Sequence, residues 1–77
     1  MTRASDAEWT VRAKNLLKSE LKRRGFSYAE LSAELARLGI AESETNIANK
    51  LSRGTFSATF LLQCLKAIGA NRIDISE

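Results

Sequence analysis

The chain has no histidine and no proline, one cysteine, four glycines and one tryptophan among its 77 residues. Without histidine, a Cys/His zinc site and imidazole acid–base catalysis are both excluded. Cys64 alone forms no intramolecular disulfide, which fits a reducing compartment. No apolar run approaches the ~18 residues of a membrane span, and the N-terminus lacks the apolar core of a signal peptide. The expectation is a soluble cytoplasmic protein. The absence of proline leaves long stretches free to be helical. There is also no phosphate-cradling glycine loop. The carboxylates fall where helix capping and ion pairing employ them, so the reading is not an enzyme, with no metal, no cofactor and no small-molecule substrate.

What is present is ordinary globular composition, 44% hydrophobic and 27% charged, in a length that supports one core and one domain. The net charge of +3 is unevenly spread. Between Arg12 and Arg24 there are six basic residues against Glu20 alone, whereas Glu30 to Glu44 holds four acids against Arg37. A basic first third favours a polyanionic partner.

Helix signals follow in order. Ser5-Asp6-Ala7-Glu8 has the form of a capping box, and Trp9, Ala13, Leu16, Leu17 and Leu21 recur at helical spacing up to Gly25, predicting a helix over 6–24. Ser27 and Glu30 form a second box, with Phe26 stapled to Leu31, and Leu31, Leu35 and Leu38 carry the apolar face to Gly39, so the second helix spans 28–38. Ser43 or Glu42 opens a short third helix in which Ile47, Ala48 and Leu51 face inward, and Arg53-Gly54 ends it. Ser57 caps the fourth, with Phe56 stapled to Leu61 and a buried stripe of Phe60, Leu61, Leu65 and Ile68 ending at Gly69. Arg72-Ile73-Asp74-Ile75 alternates like a strand that has no partner in the chain. It is either a packed extended tail or an edge that pairs with a second copy. The expected architecture is an all-α, compact four- to five-helix domain over residues 6–70, between a flexible N-terminus (1–5) and an extended tail (71–77).

The third helix is the functional candidate. Ser43, Glu44, Thr45, Asn46, Asn49, Lys50, Ser52 and Arg53 surround its two-residue apolar stripe. Asparagine pairs bidentately with adenine, and lysine or arginine with guanine, so a helix of this kind suits the major groove. On the first helix, Lys14, Lys18 and Lys22 form an i, i+4 ladder whose mutual repulsion, about 0.2–0.5 kcal/mol per pair, brings the fold nothing. A phosphate backbone would convert that repulsion into binding. Both features also fit plain solvated faces.

The runs Phe26-Ser27-Tyr28-Ala29-Glu30-Leu31-Ser32, Asn49-Lys50-Leu51-Ser52-Arg53-Gly54-Thr55-Phe56-Ser57 and Leu61-Leu62-Gln63-Cys64-Leu65-Lys66-Ala67-Ile68-Gly69, in that order, resemble the lambda-repressor-like (Xre-type) helix-turn-helix. Two departures stand out: Tyr28 replaces the glutamine that usually opens the second helix, and the Ser27–Gly54 segment is longer than the family spacing. The Lys-Asn-Leu-Leu-Lys, Glu-Leu-Lys-Arg-Arg-Gly and Arg-Gly-Thr-Phe-Ser stretches are similar to a small uncharacterised bacterial domain family.

The repressor resemblance implies a cytoplasmic, nucleoid-associated DNA-binding regulator. Base contacts would come from Ser43, Glu44, Thr45, Asn46, Asn49 and Lys50. Backbone contacts would come from Lys14, Lys18, Lys22, Tyr28, Arg53, Thr55 and Ser57. A homodimer on double-stranded DNA is expected, with Trp9, Ile73 and Ile75 as dimer-contact candidates; Trp9 is otherwise a core anchor, and Cys64 a small buried hydrophobe. The rival expectation is a protein-interaction adaptor that presents the acidic Glu30–Glu44 side without binding DNA.

Overall fold

The computed structural model describes residues 5–75, and residues 1–4 and 76–77, at the ends of the expected flexible terminus and tail, lie outside that range. Four α-helices follow one another: α1 (Asp6–Arg24), α2 (Tyr28–Arg37), α3 (Glu44–Arg53) and α4 (Ala58–Ala67). Among the described residues there is no strand and no fifth helix, and residues 71–75 run on without either.

Every helix begins on a serine. Ser5, Ser27, Ser43 and Ser57 each accept a hydrogen bond from the backbone N–H three residues on, satisfying one of the donors that a helix start leaves orphaned. The reciprocal half of the box forms only at Ser27, whose N–H donates to Glu30 Oε1 at 2.9 Å. That bond to the Ser27 backbone holds the Glu30 carboxyl below the usual carboxylate range. Ser5 is the cap of α1, as the Ser5-Asp6-Ala7-Glu8 pattern predicts.

Three helix ends share one geometry and the fourth differs. Phe26 N–H donates to Leu21 O, Ile40 to Leu35 O and Ala70 to Leu65 O, each just after a left-handed glycine: the Schellman arrangement. At the end of α3, Gly54 N–H makes instead a single bond to Lys50 O, and the chain leaves at once into Thr55.

Leu17 and Leu21 of α1, Leu31 and Leu35 of α2, Ile47 and Leu51 of α3, and Phe60, Cys64, Leu65, Ile68 and Ala70 form one buried cluster. Phe26 and Phe56 cover it from the loops, as expected of stapling residues. α1 and α2 each bridge α3 and α4. The turn between α3 and α4 is thereby set against α1.

The stripe on α1 is the main correction. Trp9, read as a core or interface anchor, is 54% exposed and so is not a core residue, and among the described residues none before Leu17 is buried. The front of the helix meets the body only at the Gly54–Ser57 turn, so Thr10, Ala13, Lys14 and Leu16 are half-buried and none enters the core. The indole instead carries the Arg12 guanidinium 4.5 Å from its ring centroid. Leu38, read as part of the apolar face of α2, is 48% exposed at that helix's end.

Glu20, the lone acid of the basic third, is the buried charge of the fold, at 6% exposure. It binds Arg23 and, at 3.3 Å, Arg24. The Arg23 hydrogen bond, opposed by burial and aided by Arg24, holds its carboxyl below the usual range. A depressed carboxylate stabilises the fold above its unfolded pKa, about 4.3 for glutamate, and loses that contribution as pH falls through the folded value. Melting temperature followed by circular dichroism from pH 7 to pH 3 is expected to fall below about pH 5, and to fall less steeply in Glu20→Gln. Parallel profiles would show that the arginines contribute nothing through this acid.

Candidate nucleic-acid interface

α3 is divided cleanly by its periodicity. Ile47 and Leu51 are fully buried and Ala48 half-buried, while Glu44, Thr45, Asn46, Asn49, Ser52 and Arg53 are exposed. At 100° per residue, Thr45, Asn49 and Ser52 form one row and Asn46, Asn49 and Arg53 the next. Among the described residues, none of these five polar side chains takes part in an internal hydrogen bond or ion pair. The face is thus a set of amide and hydroxyl groups with one guanidinium, all with free valences.

The cationic ladder of α1 reaches this helix. A Cβ added at Gly54 would lie 2.8 Å from Thr10 Cγ2 and 3.6 Å from Lys14 Cβ, so the end of α3 sits directly on the α1 turn that carries Lys14. Lys18 and Lys22 continue along the helix in steps of ~6 Å. Lys14 is half-buried and the other two exposed, and none of the three pairs with a carboxylate among the described residues. Trp9, Thr10, Ala13, Gly54, Thr55, Phe56 and Ser57 line a shallow open groove at this joint.

Other candidate residues are already occupied. The Ser43 hydroxyl accepts from Asn46 N–H at 3.0 Å, and that of Ser57 from Phe60 N–H at 3.0 Å. Glu44, in the first turn of α3, suits the positive end of the helix dipole. Tyr28 is half-buried against the core. Lys50 is turned inward: its ammonium pairs with the Glu42 carboxylate and lies 4.5 Å from the centroid of the Phe60 ring. Lys50, expected to contact a base, makes an internal contact in this structure. Thr55 is exposed; so are Ile73, at 39%, and Ile75, at 74%.

The Glu42–Lys50–Phe60 cluster had no sequence signal, because its members are eight and ten residues apart and meet only because α3 and α4 both pack on α2. Ser32 completes it, its hydroxyl donating to the Glu42 carbonyl at 2.6 Å. Beneath lies Cys64, wholly buried as expected, whose thiol is pushed up to about 12 by burial and by Glu42, with Lys50 opposing. It stays protonated and inert. Glu34 pairs with Arg37 at 3.5 Å, so with Glu30 boxed and Glu42 paired, the acidic stretch is largely satisfied from within.

Among the described residues no cluster of His, Cys, Asp and Glu is suited to a metal ion, and no helix is long and apolar enough to cross a membrane. No curated protein and no solved structure matches the chain. A family model does match, over residues 9–73, from Trp9 on α1 through all four helices to Ile73. The chain belongs to the family described as a domain of unknown function, DUF6471.

Proposed function

We propose that the chain is a double-stranded-DNA-binding domain of the lambda-repressor-like helix-turn-helix type, a bacterial transcriptional regulator or an accessory to one, working by binding and not by catalysis. α2 and α3 are the two helices of the motif, and α3 enters the major groove. The observation that carries this reading is the meeting, at Gly54, of an unpartnered polar helix face with an unneutralised lysine ladder. Thr45, Asn46 and Asn49 reach base edges. Arg53, Thr55, Lys14, Lys18 and Lys22 hold phosphates on one side of the groove. The chain then acts as a homodimer whose two α3 helices enter half-sites about 34–36 Å apart, one turn of DNA. The adaptor alternative loses ground because its acidic side is occupied by Ser27, Arg37 and Lys50.

Fluorescence anisotropy with labelled genomic fragments tests the reading. Binding is expected at low salt, weakening steeply as salt rises. Asn49→Ala is expected to lower affinity for the preferred site by about 5- to 150-fold, the range of one bidentate base contact, with the melting temperature kept. Lys18→Ala should weaken all sequences alike and reduce the log–log salt slope by about 0.9. No binding to any fragment at low salt ends the DNA reading.

A further inference from the structure

Lys50 stands on the flank of α3 between its buried stripe and its exposed face, one turn beyond Asn46. Side chains on a helix lean toward its N-terminus, so an unrestrained Lys50 would lie over Asn46 and add a cation to the polar face. It does not. Glu42, two positions before the start of α3, draws the ammonium to its own carboxylate, and the Phe60 ring backs the ammonium from α4. The acid is itself fixed: its side chain is 11% exposed and its main-chain carbonyl is bonded to Ser32 at 2.6 Å. Lys50 retains 39% exposure, so it is sequestered by its partner and not by depth. What remains on the face is two asparagines, a threonine and a serine, with Arg53 the one cation of α3 that has no internal partner among the described residues.

We propose that Glu42 is a specificity-determining residue that withholds Lys50 from DNA, so that α3 reads an adenine-bearing site through Asn46 and Asn49 and makes no guanine contact beside Asn46. This rests on the DNA-binding reading above. The chemistry is direct: a carboxamide matches the N6 and N7 edge of adenine, whereas a lysine ammonium beside it would favour guanine O6 and N7. One partly buried carboxylate therefore chooses between two base preferences that the same helix could express.

The test is selection of bound duplexes from random DNA, with salt titrations on the selected sites, for the full chain and for Glu42→Gln, Lys50→Met and the double variant. The wild type is expected to select adenine opposite Asn46 and Asn49 with no guanine preference at the adjoining position. Glu42→Gln is expected to acquire that guanine and to steepen the salt slope by about 0.9, one added cation at the DNA. Lys50→Met should bind within about twofold of wild type, and the double variant should return to the wild-type motif and slope, since a lysine that is withheld has no contact to lose. If Glu42→Gln keeps both motif and slope, or if Lys50→Met loses more than about tenfold with its melting temperature intact, Lys50 is not withheld and the proposal falls. Should Glu42→Gln fail to fold, the Lys50→Met affinity decides alone. A wild-type chain that selects nothing at low salt overturns the DNA reading itself, a result distinct from the other two.

Discussion

Gly54→Ala is expected to lower stability by about 2–5 kcal/mol, a large share of the ~4–12 kcal/mol typical for a chain of this length. Two effects add. Gly54 has φ +72°, where an L side chain meets its own backbone at a cost of about 1–2 kcal/mol. The new methyl would also stand 2.8 Å from Thr10 Cγ2, an overlap relieved by turning the Thr10 side chain or displacing α1. Such overpacking costs about 1–3 kcal/mol. Gly39→Ala separates the two effects, since Gly39 has φ +79° but open space where its Cβ would go. It should lose only the backbone part, about 1–2 kcal/mol. Thr10→Ser in the Gly54→Ala background removes the crowded methyl and should recover part of the loss in a double-mutant cycle. Equal urea midpoints for Gly54→Ala and Gly39→Ala would show that α1 does not press on the end of α3.

Leu17→Ala is expected to cost about 2–5 kcal/mol and to lower the melting temperature by about 10–30 °C. Leu17 is fully buried, and it and Leu21 are the only buried apolar residues on a helix of 19 residues. Truncation leaves a cavity under the stretch by which α1 enters the core. Trp9→Ala makes the contrast. By size alone tryptophan would be the larger loss, but at 54% exposure its change should cost about 1 kcal/mol or less, mostly the stacked Arg12. A Trp9→Ala loss matching that of Leu17→Ala would place the indole in the core after all.

These two residues also mark how far the sequence could be read. Helix limits were legible to within a residue or so at Ser5, Ser27, Ser43 and Ser57, because a cap is decided by hydrogen bonds across three residues and a stop by the local backbone of glycine. The inward residues of α3 and α4 were legible for the same reason, a ten-residue helix in a small body showing its stripe along its length, save that Leu61 is only half-buried. Trp9 sat on an equally regular stripe, yet periodicity records which face is apolar and not where the neighbouring helices end. The third-helix face was legible as polar. That Lys50 leaves it was not, since its partners Glu42 and Phe60 reach it only through packing. Nor could spacing reveal that Lys14 touches the end of α3, a meeting that depends on the angle at which α1 crosses the Gly54 turn.

The unburied front of α1 has a dynamic consequence. Residues 6–16 bury no side chain completely, and they rest on the body chiefly where Thr10, Ala13 and Lys14 meet the Gly54–Ser57 turn. Segments with so little apolar burial open at far lower free energy than the whole domain. Their amides therefore exchange with solvent long before those of Leu17 or Leu35. Because the joint lies at the last residue of α3, each such opening loosens the end of that helix while its start stays fixed by Ser43. The front of α1 is thus where local opening couples to the end of α3.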